Sequence, residues 1–272
     1  MKDRTKIFGS CILLVLCAFV FLLIFFKSNQ VQGGKGKLNL TIIYDNYEHA
    51  PGLSTSWGFS CLIQGMDKTV LFDTGGDGRL LLENMKKLKL DPKAVEMIFL
   101  SHIHGDHTGG LGEFLTENSD VQVILPASFP KSFKEGVRGF GAEVIEISGS
   151  REIFKNVFST GEMGSFIKEQ SLAIKTEQGA VVITGCAHPG IVEIVERGCE
   201  ITGTSPRLVL GGFHLGGTSE ARVLEIIDRL VKLGTKQAAP CHCSGDRTRE
   251  LFKEKLGKAY LEVGVGKVIS LD

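Results

Sequence analysis

Ser101-His102-Ile103-His104-Gly105-Asp106-His107-Thr108-Gly109-Gly110 packs three of the protein's seven histidines and one aspartate into a single loop. The largely apolar run 95–100 ahead of it reads as a buried strand. Side chains alternate along an extended chain, so His102 and His104 point to the same side. Asp106 and His107 follow as the loop turns into a helix. Imidazole nitrogens and a carboxylate oxygen converging in this way suit zinc, or iron or manganese where more oxygen ligands join.

Working outward, three more histidines stand just beyond apolar strands. His188 follows Ala180-Val181-Val182-Ile183-Thr184-Gly185-Cys186-Ala187, His214 follows Leu208-Val209-Leu210-Gly211-Gly212-Phe213, and His242 follows Ala238-Ala239-Pro240-Cys241. If these strands share sheets, their ends meet along one edge, where open α/β sheets hold ligands. His188 and His242 are therefore candidate metal ligands, and His214 a candidate ligand or substrate contact. His49 stands alone and reads as a surface loop residue.

The alternation of strands and helices in both halves predicts an α/β (α+β) fold of two sheets between helix layers. Strands are expected at Leu38 to Tyr44, Phe59 to Gln64 and Thr69 to Phe72, the last two joined by a turn at Gly65-Met66-Asp67-Lys68. Glu177-Gln178-Gly179 marks a hairpin between Ser171 to Lys175 and Ala180 to Thr184. The clearest helix is Glu220 to Leu233, with Ser219 as N-cap, Gly234 as stop and an apolar stripe of Val223, Ile226, Ile227, Leu230 and Leu233. A strand is expected over Ala238 to Cys243, and a final helix over Arg247 to Leu256.

The chain divides into residues 1–27, a membrane anchor or signal segment, a glycine-containing linker at 28–37, and a catalytic domain at 38–272. The twenty residues from Ile7 to Phe26 carry no charge and as a helix would span about 30 Å, the thickness of a bilayer's hydrocarbon core. Bulky residues end the run and no Ala-x-Ala follows, which favours one uncleaved transmembrane helix over a processed signal or lipoprotein. The domain is then expected on the extracytoplasmic side of the membrane. Lys and Arg total 31, as do Asp and Glu, so no net basic charge points to a nucleic-acid partner. Five cysteines outside the anchor (Cys61, Cys186, Cys199, Cys241, Cys243) show no disulfide framework and read as reduced core thiols.

The histidine cluster, together with Phe72-Asp73-Thr74-Gly75, His188 and His242, resembles the metallo-β-lactamase fold superfamily. The likeness covers roughly residues 38 to 270. It implies a four-layer αββα sandwich with His102, His104 and His188 on one metal and Asp106, His107 and His242 on a second, braced by Asp73. Within the superfamily the chain is similar to the dihydropterin ribofuranosylaminobenzene phosphate synthase branch. Asp45-Asn46, Gly58-Phe59-Ser60, the glycine-rich segment around His188, Gly211-Gly212-Phe213-His214-Leu215 and Cys241-His242-Cys243-Ser244-Gly245 carry that match. One departure stands out. The superfamily places a metal-bridging aspartate at the end of the strand after His188, where this chain has Gly211-Gly212.

One or two zinc ions are thus expected, with iron or manganese as alternatives. Metal lowers the pKa of water from about 15.7 towards 7. The first expectation is a metallohydrolase of a small ester, phosphoester or lactone acting through metal-bound hydroxide, with Asp106 and His107 as catalytic residues. The alternatives are a transferase like the synthase branch and a metal-containing binding module without catalysis.

Overall fold

In the computed structural model, which describes residues 37–272, the strand patterns assemble into two mixed sheets. The first is built from β1 (Leu38–Tyr44), β2 (Ser60–Gln64), β3 (Val70–Phe72), β4 (Met97–Phe99), β5 (Gln122–Pro126), β6 (Glu143–Ile147) and the C-terminal strand Val268–Leu271. The second comprises β7 (Arg151–Phe154), β8 (Val157–Ser159), β9 (Leu172–Thr176), β10 (Gly179–Thr184), β11 (Pro206–Gly212) and β12 (Ala238–Cys241). Val268–Leu271 is β13, which pairs antiparallel with β1 and closes the edge of the first sheet. The expected membrane segment lies outside the described residues. Among those that are described, no helix is long and apolar enough to cross a membrane.

Alternation sorts the side chains of each sheet into two apolar faces. One face of each sheet contributes to a shared core: Leu40, Ile42, Phe72, Phe99 and Ile124 meet Leu172, Ile174, Val181, Ile183, Leu208 and Leu210. Outside the first sheet, Ile43, Leu71, Ile98 and Val123 pack on α1 (Gly78–Lys87), α3 (Leu111–Glu117) and α4 (Lys131–Gly139). Outside the second, Val182 and Val209 pack on α5 (Ile191–Thr202), α6 (Glu220–Lys232) and α7 (Asp246–Leu256). The short α2 (Gly105–Thr108) lies within the histidine loop itself. The layers therefore run helices, sheet, sheet, helices. Each fully buried Leu, Ile, Val or Phe contributes roughly 1.5–3 kcal/mol, so these three cores dominate the fold.

Helix α6 buries Val223, Ile226, Ile227 and Leu230, as its period requires, and Gly234 at φ 86° ends it. Ser219 occupies the N-cap position, but its hydroxyl makes no capping bond. The side chain of Asp77 does cap α1, accepting from the N–H groups of Arg79 and Leu80.

Strands β3, β4, β5 and β6 run parallel, and so do β10, β11 and β12. Their C-terminal ends deliver the residues singled out above. Asp73 follows β3, the histidine cluster follows β4, Cys186 and His188 follow β10, His214 follows β11 and His242 follows β12. The expected strand at Ala238 to Cys243 is shorter than the sequence suggests. It ends at Cys241, because His242 turns into the left-handed region at φ 47° and begins a 3-10 turn.

Candidate metal centre

Six non-glycine residues among those described have positive φ, and four of them surround one spot: Asp73 (53°), Ala187 (58°), His214 (51°) and His242 (47°). Such backbone costs on the order of 1–3 kcal/mol per residue and persists where surrounding contacts hold it. Backbone also crowds behind the histidine loop. A side chain at Gly110 would collide with the Thr74 carbonyl, and one at Gly109 with the Gly76 carbonyl. The two glycines let the histidine loop lie directly against the loop that carries Asp73.

The metal-binding atoms converge in two sets. Nε2 of His102 lies 3.1 Å from Nδ1 of His104. The His188 ring centroid is 4.8 Å from that of His102 and 4.9 Å from that of His104. In the second set, Oδ2 of Asp106 is 3.2 Å from Nε2 of His242 and 3.6 Å from Nε2 of His107. Two nitrogens held on one tetrahedral ion at 2.0–2.1 Å sit about 3.4 Å apart, so these spacings suit donors sharing an ion. Nε2 of His188 is buried without a hydrogen-bond partner, and Nε2 of His242 has only the Asp106 carboxylate beside it at 3.2 Å. An orphaned buried acceptor is costly, and a cation would satisfy both.

The Nδ1 atoms of His102, His107 and His242 have partners, which fixes how those three imidazoles present themselves. Asp73 is fully buried; its Oδ1 accepts from the N–H of Ser101 at 2.7 Å and its Oδ2 from the Ser101 hydroxyl at 2.7 Å. Oδ2 also meets Nδ1 of His107 at 2.7 Å. The Ser101 oxygen in turn faces Nδ1 of His102 at 2.9 Å. One carboxylate thus orients a ring in each set and leaves both Nε2 lone pairs turned inward, as metal-ligating histidines require. For His242 the same service comes from Asn46, whose Oδ1 is 3.1 Å from Nδ1 and whose amide donates to the His242 carbonyl at 3.3 Å.

His188 is placed by Glu169. This buried carboxylate accepts from the N–H groups of Gly185, Cys186, Ala187 and His188 at 3.1, 3.0, 2.9 and 2.8 Å, and from the Thr184 hydroxyl at 2.9 Å. Four successive amides wrapped on one anion make a rigid turn.

Charge favours metal binding. Burial, then the neighbouring histidines, hold His102 far below the ordinary histidine range, and burial, His214 and His104 bring His188 down to about 4. Both rings are neutral ligands at pH 7. Burial works to raise Asp106, but hydrogen bonding and charge from His242 and His107 prevail and hold it low, so it is ionised.

Five of the six sequence-derived ligand candidates, His102, Asp106, His107, His188 and His242, fall in the converging donor groups, with Asp73 behind them; His104 falls in none of these groups but lies beside them, its Nδ1 3.1 Å from Nε2 of His102. His214 stands at the lip, its ring centroid 4.5 Å from that of His188. His49 is exposed, in keeping with a surface loop. Two cysteines require correction. Cys186 and Cys243 are buried free thiols, but they do more than pack: Cys186 can join Asp106, His107 and His242, or His102 and His188, and together with Cys243 it can join His214. Cys241, by contrast, does lie in the core between the sheets. Cysteine directly beside a candidate ligand (Cys186-Ala187-His188, His242-Cys243) is the signal that marks the pair. Glu169 carries no such signal.

Asp73→Asn is expected to weaken metal affinity about 10–100-fold, because whichever way the amide turns, its NH2 group faces a donor of Ser101 or His107. Titration of the apo protein with zinc against a competing chelator checks this.

Comparison with known proteins agrees with this geometry. The 7,8-dihydropterin-6-methyl-4-(beta-D-ribofuranosyl)-aminobenzene-5'-phosphate synthase of Methanocaldococcus jannaschii is 29% identical, over 86% of this chain and 98% of its own length. An uncharacterized protein of the same organism is 30% identical, over 79% of this chain and 93% of that protein. The crystal structure of Tm1679, a metal-dependent hydrolase of the beta-lactamase superfamily, has a TM-score of 0.73 and 27% identity, covering 86% of this chain and 99% of that one. The profile of the metallo-beta-lactamase superfamily matches residues 58–242, and with the αββα layering and the histidine cluster already in place, the chain belongs to that superfamily.

Proposed function

We propose that the protein is a metal-dependent hydrolase of a small ester, phosphoester or lactone. The observation that carries this reading is the double set of converging donors, with the orphaned Nε2 of His188 on a residue that lines a cleft. His102, His104 and His188 would hold one ion, and Asp106, His107 and His242 a second. Zinc suits the donors, as does iron. Bound divalent metal supplies Lewis acidity, polarising a substrate oxygen and acidifying water.

The chain's own groups do the rest. Asp106 is the half-buried carboxylate of the cluster, ionised and open to one side, so it can orient a water molecule and take its proton. His107 would share the second ion with Asp106, its Nε2 3.6 Å from Oδ2. His214 reaches over the lip and can donate a hydrogen bond to the substrate. Beside it a cleft of about 180 Å³ is lined by His188, Phe213, His214, Leu215, Arg222 and Arg229. Its size suits part of a small molecule, and the balanced charge of the chain supports a small substrate over nucleic acid. Trp57, exposed and 4.8 Å from the His242 ring, gives the other lip a flat apolar face for substrate.

A second reading, transferase chemistry, is favoured by the full-length likeness to the Methanocaldococcus synthase. The two are separated by assaying metal-loaded protein on phosphoester, ester and lactone panels, and on a pterin diphosphate with an aromatic amine acceptor. Metal-dependent release of acid or phosphate without acceptor supports hydrolysis. Turnover only when the amine is present overturns it.

A further inference from the structure

We propose that the thiolate of Cys186 is the ligand shared by the two metal subsites, in the place a strand-end carboxylate would otherwise take. The inference rests on the two-set metal reading above, though not on which bond is broken.

Cys186 is the one side chain common to all the potential donor groups among the described residues. Its Sγ lies within 4.8 Å of the ligand atoms of Asp106, His107 and His242, and within the same distance of those of His102 and His188. The shortest of these contacts is 3.2 Å, to Nε2 of His107. A nitrogen at 2.0–2.1 Å and a sulfur at about 2.3 Å from one tetrahedral ion are about 3.6 Å apart, so the observed spacing is near that of two ligands on one ion. Nδ1 of His107 lies 2.7 Å from the Asp73 carboxylate, and a ring that carries its proton there presents an Nε2 lone pair towards the sulfur. The sulfur is held in position: the Cys186 N–H is fixed on Glu169 at 3.0 Å and the backbone turns left-handed at Ala187.

The end of β11 explains why sulfur takes this role. A side chain at Gly211, where φ is 127°, would run into the Thr184 carbonyl. At Gly212 a Cβ would collide with the Gly185 carbonyl and lie 2.7 Å from Sγ of Cys243 and 3.2 Å from Cδ2 of His242. No carboxylate can grow from this strand end without displacing β10, Cys243 or His242. Two divalent ions would then face Asp106 as their only inward carboxylate, a poor balance for a buried site. A bridging thiolate adds the missing negative charge from the end of the neighbouring strand β10. A soft sulfur ligand also favours zinc or ferrous iron over magnesium or manganese.

The test uses the full chain reconstituted with cobalt(II) and with zinc(II), with metal counted by elemental analysis and thiolate-to-cobalt charge transfer followed in the near ultraviolet. The wild type is expected to bind two ions and to show the charge-transfer band. Cys186→Ala should fall to one ion and lose the band. Cys186→Asp should recover two ions without the band, because a carboxylate can again bridge. Cys199→Ala, on α5 and in none of the donor groups, should keep both ions and the band. Two ions and an intact band in Cys186→Ala would overturn the assignment, as would loss of the band in Cys199→Ala. Circular dichroism of each variant separates ligand loss from failure to fold. A wild type that carries two ions and the band but turns over no substrate would support this ligand set while removing the proposed hydrolysis.

Discussion

Alanine at His102 or at His188 is expected to cut turnover by at least about 10³-fold and to lower metal content in the same preparation. His102 is buried, neutral and aimed by Ser101 and Asp73, and His188 presents an orphaned Nε2 from the facing sheet. Either change removes one of three nitrogens from the same subsite. Loss of a Lewis acid worth several kcal/mol in the transition state gives a factor of that size at about 1.4 kcal/mol per tenfold. Steady-state rates and elemental analysis on the same samples check it. Either variant retaining both full metal and full rate would remove His102 or His188 from the ligand set.

Glu169→Ala is expected to be the most damaging single change outside the metal ligands. It strips the acceptor from four buried backbone N–H groups and the Thr184 hydroxyl at once. An unsatisfied buried donor costs about 1–3 kcal/mol, and bonds to a charged acceptor lie at the upper end. Even with partial relaxation of the turn, a loss of about 4 kcal/mol or more follows, together with misplacement of Cys186 and His188. Glu169→Gln keeps one acceptor oxygen but turns an amide donor towards a backbone N–H. It should lose about half as much. Denaturant unfolding of apo protein, followed by zinc titration, separates the stability effect from the site effect. An alanine variant within about 1 kcal/mol of wild type would show that the turn is held by something else.

What the sequence reveals and what it hides follow from how far apart the partners lie. His102, His104, Asp106 and His107 sit in one loop after one strand, so alternation and residue chemistry suffice to read them. His188 and His242 are legible because each follows an apolar strand, and parallel strands bring such ends together. Asp73 is legible through the family pattern, and its contacts to Ser101 and His107 give that role a physical basis. Asn46 reaches His242 across 196 residues, and no local pattern records that pairing. Glu169 is a lone acidic residue in a loop, outwardly the same as a solvated one, until the fold closes four amides around it. Cysteine is ambiguous by nature, since the same small apolar side chain serves in cores and on metals. Cys241 took the first role, while Cys186 and Cys243 face the donor cluster.

The Gly211-Gly212 departure also has a steric reason, because the strand end lies against Gly185, Cys243 and His242. β12 is shorter than its composition suggests because the left-handed backbone at His242, which composition does not encode, stops the strand.

The central claim, that this loop edge is a two-ion metal centre, is tested most directly by elemental analysis of the purified chain combined with anomalous scattering from its crystals. The account predicts two ions, one among His102, His104 and His188 and the other among Asp106, His107 and His242, with Cys186 sulfur between them. Protein that binds no metal after reconstitution, or that holds it away from these residues, would contradict it.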